Sequence, residues 1–122
     1  MCRVIVIDDD PAVLESTAFL LDVWGCQVTA YRSAFDFLNA GPGEGDCLLL
    51  DQHMPEMSGL ELVTRLRELG LEFPTLLITG APSPSIEASA AAFGIALQPK
   101  PLDEAALIAF LRQNCRLGPD IP

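Results

Sequence analysis

The sequence predicts an α/β fold, a doubly wound five-stranded parallel sheet flanked by five helices, on three observations. Short apolar runs recur at 2–7, 26–30, 47–50, 75–79 and, more weakly, 95–98, with helix-like segments between them. The first, third and fourth runs (CRVIVI, CLLL and TLLIT) hardly alternate between apolar and polar residues, and a strand apolar on both sides is one covered on both faces. Strand and helix alternate five times, and crossovers between parallel strands are right-handed almost without exception. At 122 residues, half of them apolar, the chain can bury the core of one domain.

The helical segments carry their own start and stop signals. Asp10-Pro11 reads as an N-cap followed by proline at the first helical position, and Val13, Thr17, Leu20, Leu21 and Trp24 share one face before Gly25 ends the helix. Ser58-Gly-Leu-Glu61 reads as a capping box that opens a helix through Leu62, Val63, Leu66 and Leu69 to Gly70. Asp103 opens a last helix through Leu107, Leu111 and Cys115, closed by Gly118 and Pro119. Segments 33–39 and 84–93 supply the other two helices.

Charge and composition exclude several classes of function. A formal charge of −10 at pH 7 repels phosphate backbones, so this chain alone is not expected to bind nucleic acid. No apolar run approaches the roughly 20 residues needed to cross a bilayer, and the apolar start is too short for a signal peptide, which points to the cytoplasm. Cys2, Cys26, Cys47 and Cys115 lie far apart without a C-x-x-C pair. They are expected to be buried reduced thiols rather than a disulfide or zinc framework.

Function in an open parallel sheet collects beyond the carboxyl ends of the strands. Asp8 and Asp9 end the first strand, Asp51 the third and Thr79-Gly80 the fourth, while Lys100, the only lysine, follows the fifth. If the first and third strands are neighbours, three carboxylates meet, each pair repelling by roughly 4 kcal/mol at about 4 Å and an effective dielectric near 20. Such a cluster needs a cation. The Lys100 ammonium is one, and a hard divalent metal such as Mg²⁺, which takes one or two carboxylates and a phosphoryl oxygen, is the other. With both in place and the Thr79 hydroxyl within reach, an Asp51 carboxylate is set to attack an activated phosphate in line.

VIDDD, LLLDQHMPEMSGLEL, LLITG and KP occur in an order and spacing that resembles the receiver domain of bacterial two-component response regulators, in the CheY-like superfamily. The resemblance covers 1–117, with 118–122 as a tail or the start of a linker, and implies the flavodoxin-like strand order 2-1-3-4-5. It further implies that Asp51 is the phosphoacceptor and that Asp8, Asp9, Asp51 and the His53 backbone carbonyl form the Mg²⁺ site. Thr79 and Lys100 would then contact the phosphoryl group. The implied partners are a sensor histidine kinase or phosphotransfer protein, an effector domain or downstream protein, and a second copy of the chain. The implied activity is signalling rather than enzymatic turnover, the domain assisting only its own phosphotransfer and dephosphorylation.

The sequence departs from the family pattern near Lys100. Leu97 stands where many receivers carry an aromatic switch, and Pro99 precedes the lysine, which the end of an edge strand tolerates. His53, two residues past Asp51, has two readings: an exposed imidazole whose carbonyl alone matters, or a neutral ring that orients the water attacking an acyl phosphate. Two other functions compete. A receiver-fold scaffold signalling without phosphate is favoured by Leu97 and disfavoured by the full acidic set. An aspartyl phosphohydrolase of the haloacid-dehalogenase kind needs an aspartate where His53 stands.

Overall fold

In the computed structural model, residues 2–43, 45 and 47–115 are described. Strands β1 (Arg3–Ile7), β2 (Gln27–Tyr31), β3 (Cys47–Asp51), β4 (Thr75–Thr79) and β5 (Ala96–Pro99) alternate with helices α1 (Pro11–Val23), α2 (Ala34–Asn39), α3 (Gly59–Glu68), α4 (Pro84–Phe93) and α5 (Glu104–Asn114). All pairings are parallel and the order is β2-β1-β3-β4-β5. This is the doubly wound sheet that the apolar runs predict.

The period of two along each strand divides the core between the sheet's faces. Val4, Val6, Leu49, Leu76 and Ile78 join Leu14, Leu21 and Trp24 of the α1 segment and Leu107, Phe110 and Leu111 of α5. The intervening residues Ile5, Ile7, Leu48, Leu50 and Leu77 pack with Ala34 and Phe37 of α2 and Leu62, Val63 and Leu66 of α3. β3 and β4 are buried throughout, and β1 everywhere except Arg3, whereas the edge strands β2 and β5 have no fully buried residue. The strands that hardly alternate are therefore the interior ones.

The N-capping signals at Asp10 and Ser58 hold, whereas that at Asp103 and the apolar stripe of α1 need adjustment. Asp10 accepts from the amides of Ala12 and Val13 at 3.0 and 3.4 Å, and both halves of the Ser58–Glu61 capping box are present. Asp103 occupies the N-cap of α5 without a side-chain cap hydrogen bond. On α1 the fully buried residues are Leu14 and Leu21, while Val13 and Thr17 line an open cavity. The expected stripe is thus rotated by about one residue toward Leu14. α5 ends at Asn114 with Cys115 as its C-cap, and Gly118, Pro119 and the proposed 117/118 boundary lie outside the described residues.

One expectation is overturned. Cys2 and Cys115 form a disulfide across a sequence separation of 113 residues, while Cys26 and Cys47 keep their thiols. The start of β1 and the end of α5 meet on the same face of the sheet, a juxtaposition that cysteine spacing in the sequence does not reveal.

Gly59 explains how closely α3 approaches β3. A Cβ built on it would lie 2.7 Å from both the Asp51 backbone oxygen and Leu77 Cδ1, and neither the strand backbone nor a fully buried leucine has room to yield. Gly59→Ala should therefore lower stability by about 1–3 kcal/mol, the usual cost of overpacking. Urea unfolding of the two proteins measures it.

Candidate functional site

Strand parity builds the acidic end of the sheet. Val6 and Leu49 face α1 and α5, so Asp8 and Asp51, two residues further on, turn the same way. Ile7 pairs with Leu50, which brings the two aspartates to adjacent strand ends. One oxygen from each of Asp8, Asp9 and Asp51 lies within 4.8 Å of the others. Asp8 and Asp51 are buried, at 4% and 3% exposure, so their repulsion is poorly screened by water.

Lys100 answers that charge from β5. Its backbone N–H donates to the Thr79 carbonyl at 2.8 Å, and its Nζ lies 3.2 Å from Asp51 Oδ1 and 3.6 Å from Asp8 Oδ2. The peptide bond that follows, Lys100–Pro101, is cis. Burial works against the charged ammonium, but Asp51 and Asp8 outweigh it and hold the lysine above its ordinary value. Apart from this ion pair with Lys100, Asp51 Oδ1 has no hydrogen-bond partner among the described residues. A buried carboxylate oxygen left in that state has capacity for a further cation, and the all-oxygen donor set is what a hard divalent metal takes.

The loop after β3 is fixed by Gln52. Its backbone carbonyl accepts from Gly59 N–H at 3.0 Å, and its side-chain oxygen accepts from Leu60 N–H at 2.9 Å. Two amides at the start of α3 are thereby satisfied by the residue next to Asp51. This buried glutamine is a positioning residue that sequence reading missed, because an isolated glutamine beside an aspartate carries no pattern.

Thr79 is fully buried but lies out of phase with the aspartates. It follows Ile78, which faces α1 and α5, so its own side chain turns to the opposite face of the sheet. There its Oγ1 is 2.8 Å from His53 Nε2 and accepts from the Ala81 N–H at 3.1 Å. The His53 ring is thus engaged with Thr79, an arrangement that neither reading of this residue foresaw. Leu97, opposite Leu77 in the ladder, is partly buried against the α2–α3 side of the core.

Residues 4–112 match the response regulator receiver domain family. The chain belongs to that family. It is 43% identical over 111 residues to the transcriptional regulatory protein FixJ of Azorhizobium caulinodans, a match covering 89% of this chain and 53% of FixJ. It is 38% identical over 116 residues to the response regulator protein TmoT of Ectopseudomonas mendocina, covering 93% and 53% respectively. Among solved structures, the FixJ-N crystal structure superposes with a TM-score of 0.83 at 30% identity, with 93% of each chain covered. The response regulator StyR gives 0.84 at 34% identity, over 92% of this chain and 58% of StyR. The chain spans about half the length of the curated relatives it matches. It is a receiver of two-component signalling, a signalling module rather than a classical enzyme. The scaffold alternative is not favoured, since these relatives are regulators and the complete acidic set is assembled. Among the described residues no helix is long and apolar enough to cross a membrane.

The site's electrostatics have a measurable cost. Burial first and the Asp8 charge second push the Asp51 carboxyl up to about 6, with Asp9 adding to the rise and Lys100 opposing it. An unfolded aspartate titrates near roughly 3.9, so the folded protein holds this proton more tightly than the unfolded chain. The resulting stabilisation is full below about pH 4 and is lost as the pH rises through about 6, a change on the order of 3 kcal/mol. Asp51→Asn removes it. Urea midpoints of the two proteins in a metal chelator should separate in favour of the asparagine variant between pH 4 and 6 and stay separated above.

Proposed function

We propose that Asp51 is the phosphoacceptor, loaded by a sensor histidine kinase or a phosphotransfer protein in a Mg²⁺-dependent reaction. The observation that carries this reading is the buried Asp51 Oδ1, whose one partner among the described residues is the Lys100 ammonium, beside Asp8 and Asp9 at the carboxyl edge of the sheet. In the transfer, an Asp51 carboxylate oxygen forms a bond to phosphorus as the donor's N–P bond breaks, and the donor imidazole leaves with the electron pair. Asp8, Asp9, Asp51 and the His53 carbonyl would hold the Mg²⁺, which would supply positive charge against the negative charge of the incoming phosphoryl group. Lys100, already paired with Asp51, moves its ammonium to the new phosphoryl oxygens. The domain assists its own loading and later hydrolysis through this chemistry, in the cytoplasm, and controls an effector domain or downstream protein. A second copy of the chain is a further candidate partner.

Incubation with acetyl phosphate and Mg²⁺ should add one phosphoryl group per chain by intact mass, and none to Asp51→Asn or in the presence of a chelator. Equal labelling of the wild type and Asp51→Asn would remove the assignment. Lys100→Ala should still be labelled but lose most of the change in backbone NMR shifts that beryllofluoride, a phosphoryl mimic, induces in the wild type.

Thr79 gives the conformational half of the mechanism. To contact a phosphoryl group on Asp51 its hydroxyl must leave His53, so the bond between Nε2 and Oγ1 at 2.8 Å opposes the activated state. Removing it favours that state by the difference between the two conformations. His53→Ala should therefore tighten beryllofluoride binding several-fold, an effect equivalent to about 1 kcal/mol for one hydrogen bond. The same substitution made in Thr79→Ala should change nothing. A gain of equal size in both backgrounds would show that His53 acts by another route.

A further inference from the structure

Three of the four cysteines gather far from the phosphoacceptor, at the opposite end of the strands. Cys2 precedes β1, where its carbonyl accepts from Gln27 N–H at 2.8 Å. Cys47 opens β3 opposite Val4, and Cys115 caps α5. Strand parity turns Cys2 and Cys47 to the face that α5 covers, together with Val4 and Leu49. The three sulfurs all lie within 4.8 Å of one another. Cys115 Sγ is bonded to Cys2 and stands 3.7 Å from Cys47 Sγ, which is van der Waals contact.

We propose that Cys2, Cys47 and Cys115 form a thiol–disulfide exchange site in which Cys115 takes either of the other two as its partner. The Cys47 thiolate attacks Cys115 Sγ, the Cys47–Cys115 bond forms as the Cys2–Cys115 bond breaks, and Cys2 leaves as the thiolate. Cys47 gives up one proton before the attack and Cys2 takes one up after it, so the step is redox-neutral and needs no outside oxidant. Cys115 is the central sulfur on two counts. It touches both partners, and it is only partly buried, whereas Cys2 and Cys47 are 2% and 0% exposed. The exchange transfers the covalent tie on the end of α5 from the chain's start to β3, the strand that ends in Asp51. Cys26, though buried on the same face, lies outside this cluster of three sulfurs.

The chain's basic residues make the exchange directly readable. Trypsin separates Cys2, Cys26, Cys47 and Cys115 into peptides 1–3, 4–32, 33–65 and 113–116. The full-length protein is equilibrated in a glutathione redox buffer, quenched in acid, alkylated with N-ethylmaleimide under denaturing conditions and mapped without reduction. Wild type should yield two cross-linked species, 1–3 with 113–116 and 33–65 with 113–116. In Cys2→Ser the second should replace the first, in Cys47→Ser only the first should remain, and Cys26→Ser should match wild type. The proposal is overturned if wild type gives only the 1–3 linkage, or if Cys2→Ser leaves Cys47 and Cys115 both alkylated while its circular dichroism remains that of the folded protein.

Discussion

One constraint governs the architecture: β3 must be sealed in apolar side chains along its length and still end in an ionisable carboxylate. Residues 47–51 are all buried, Asp51 included. Burial alone would drive that carboxyl toward its neutral form, and Asp8 on the next strand pushes in the same direction. Lys100 provides the opposing force from two strands away. The order of the strands therefore has an electrostatic meaning. It sets the second carboxylate on one side of β3, while the ammonium reaches in from the far side across β4.

Much of this was legible in the sequence because burial on two faces leaves a plain mark. CLLL and TLLIT fail to alternate because both sides of β3 and β4 are covered. Capping was readable because Asp10, Ser58 and Glu61 act on amides only two or three residues away. What stayed hidden depends on contacts between distant segments. Cys2 meets Cys115, and His53 meets Thr79, through topology rather than spacing. Leu14 displaced the expected apolar stripe of α1 because the fold leaves a cavity beside Val13 and Thr17, and local periodicity does not register a cavity. The role of Gln52 likewise depends on where α3 begins relative to β3.

The two faces of the sheet hold different parts of the site. Aspartates and lysine gather on the side of α1 and α5, whereas Thr79 and His53 meet on the side of α3 and α4. A single step in strand parity, from Ile78 to Thr79, makes the division. The two sides are joined closely in the chain, since Asp51 and His53 are separated only by Gln52, and His53 in turn meets Thr79.

Lys100 follows β5, and β5 is an edge strand whose ladder runs to β4 alone. An interior strand displaced by an ångström strains hydrogen bonds on both flanks. β5 strains one row, and that row ends in the Lys100 N–H bond to the Thr79 carbonyl, so the N–H that Pro99 lacks would have faced the open edge. The cation that faces the carboxylate cluster is therefore mounted beside one of the sheet's two edge strands, where a single ladder, rather than two, resists its displacement.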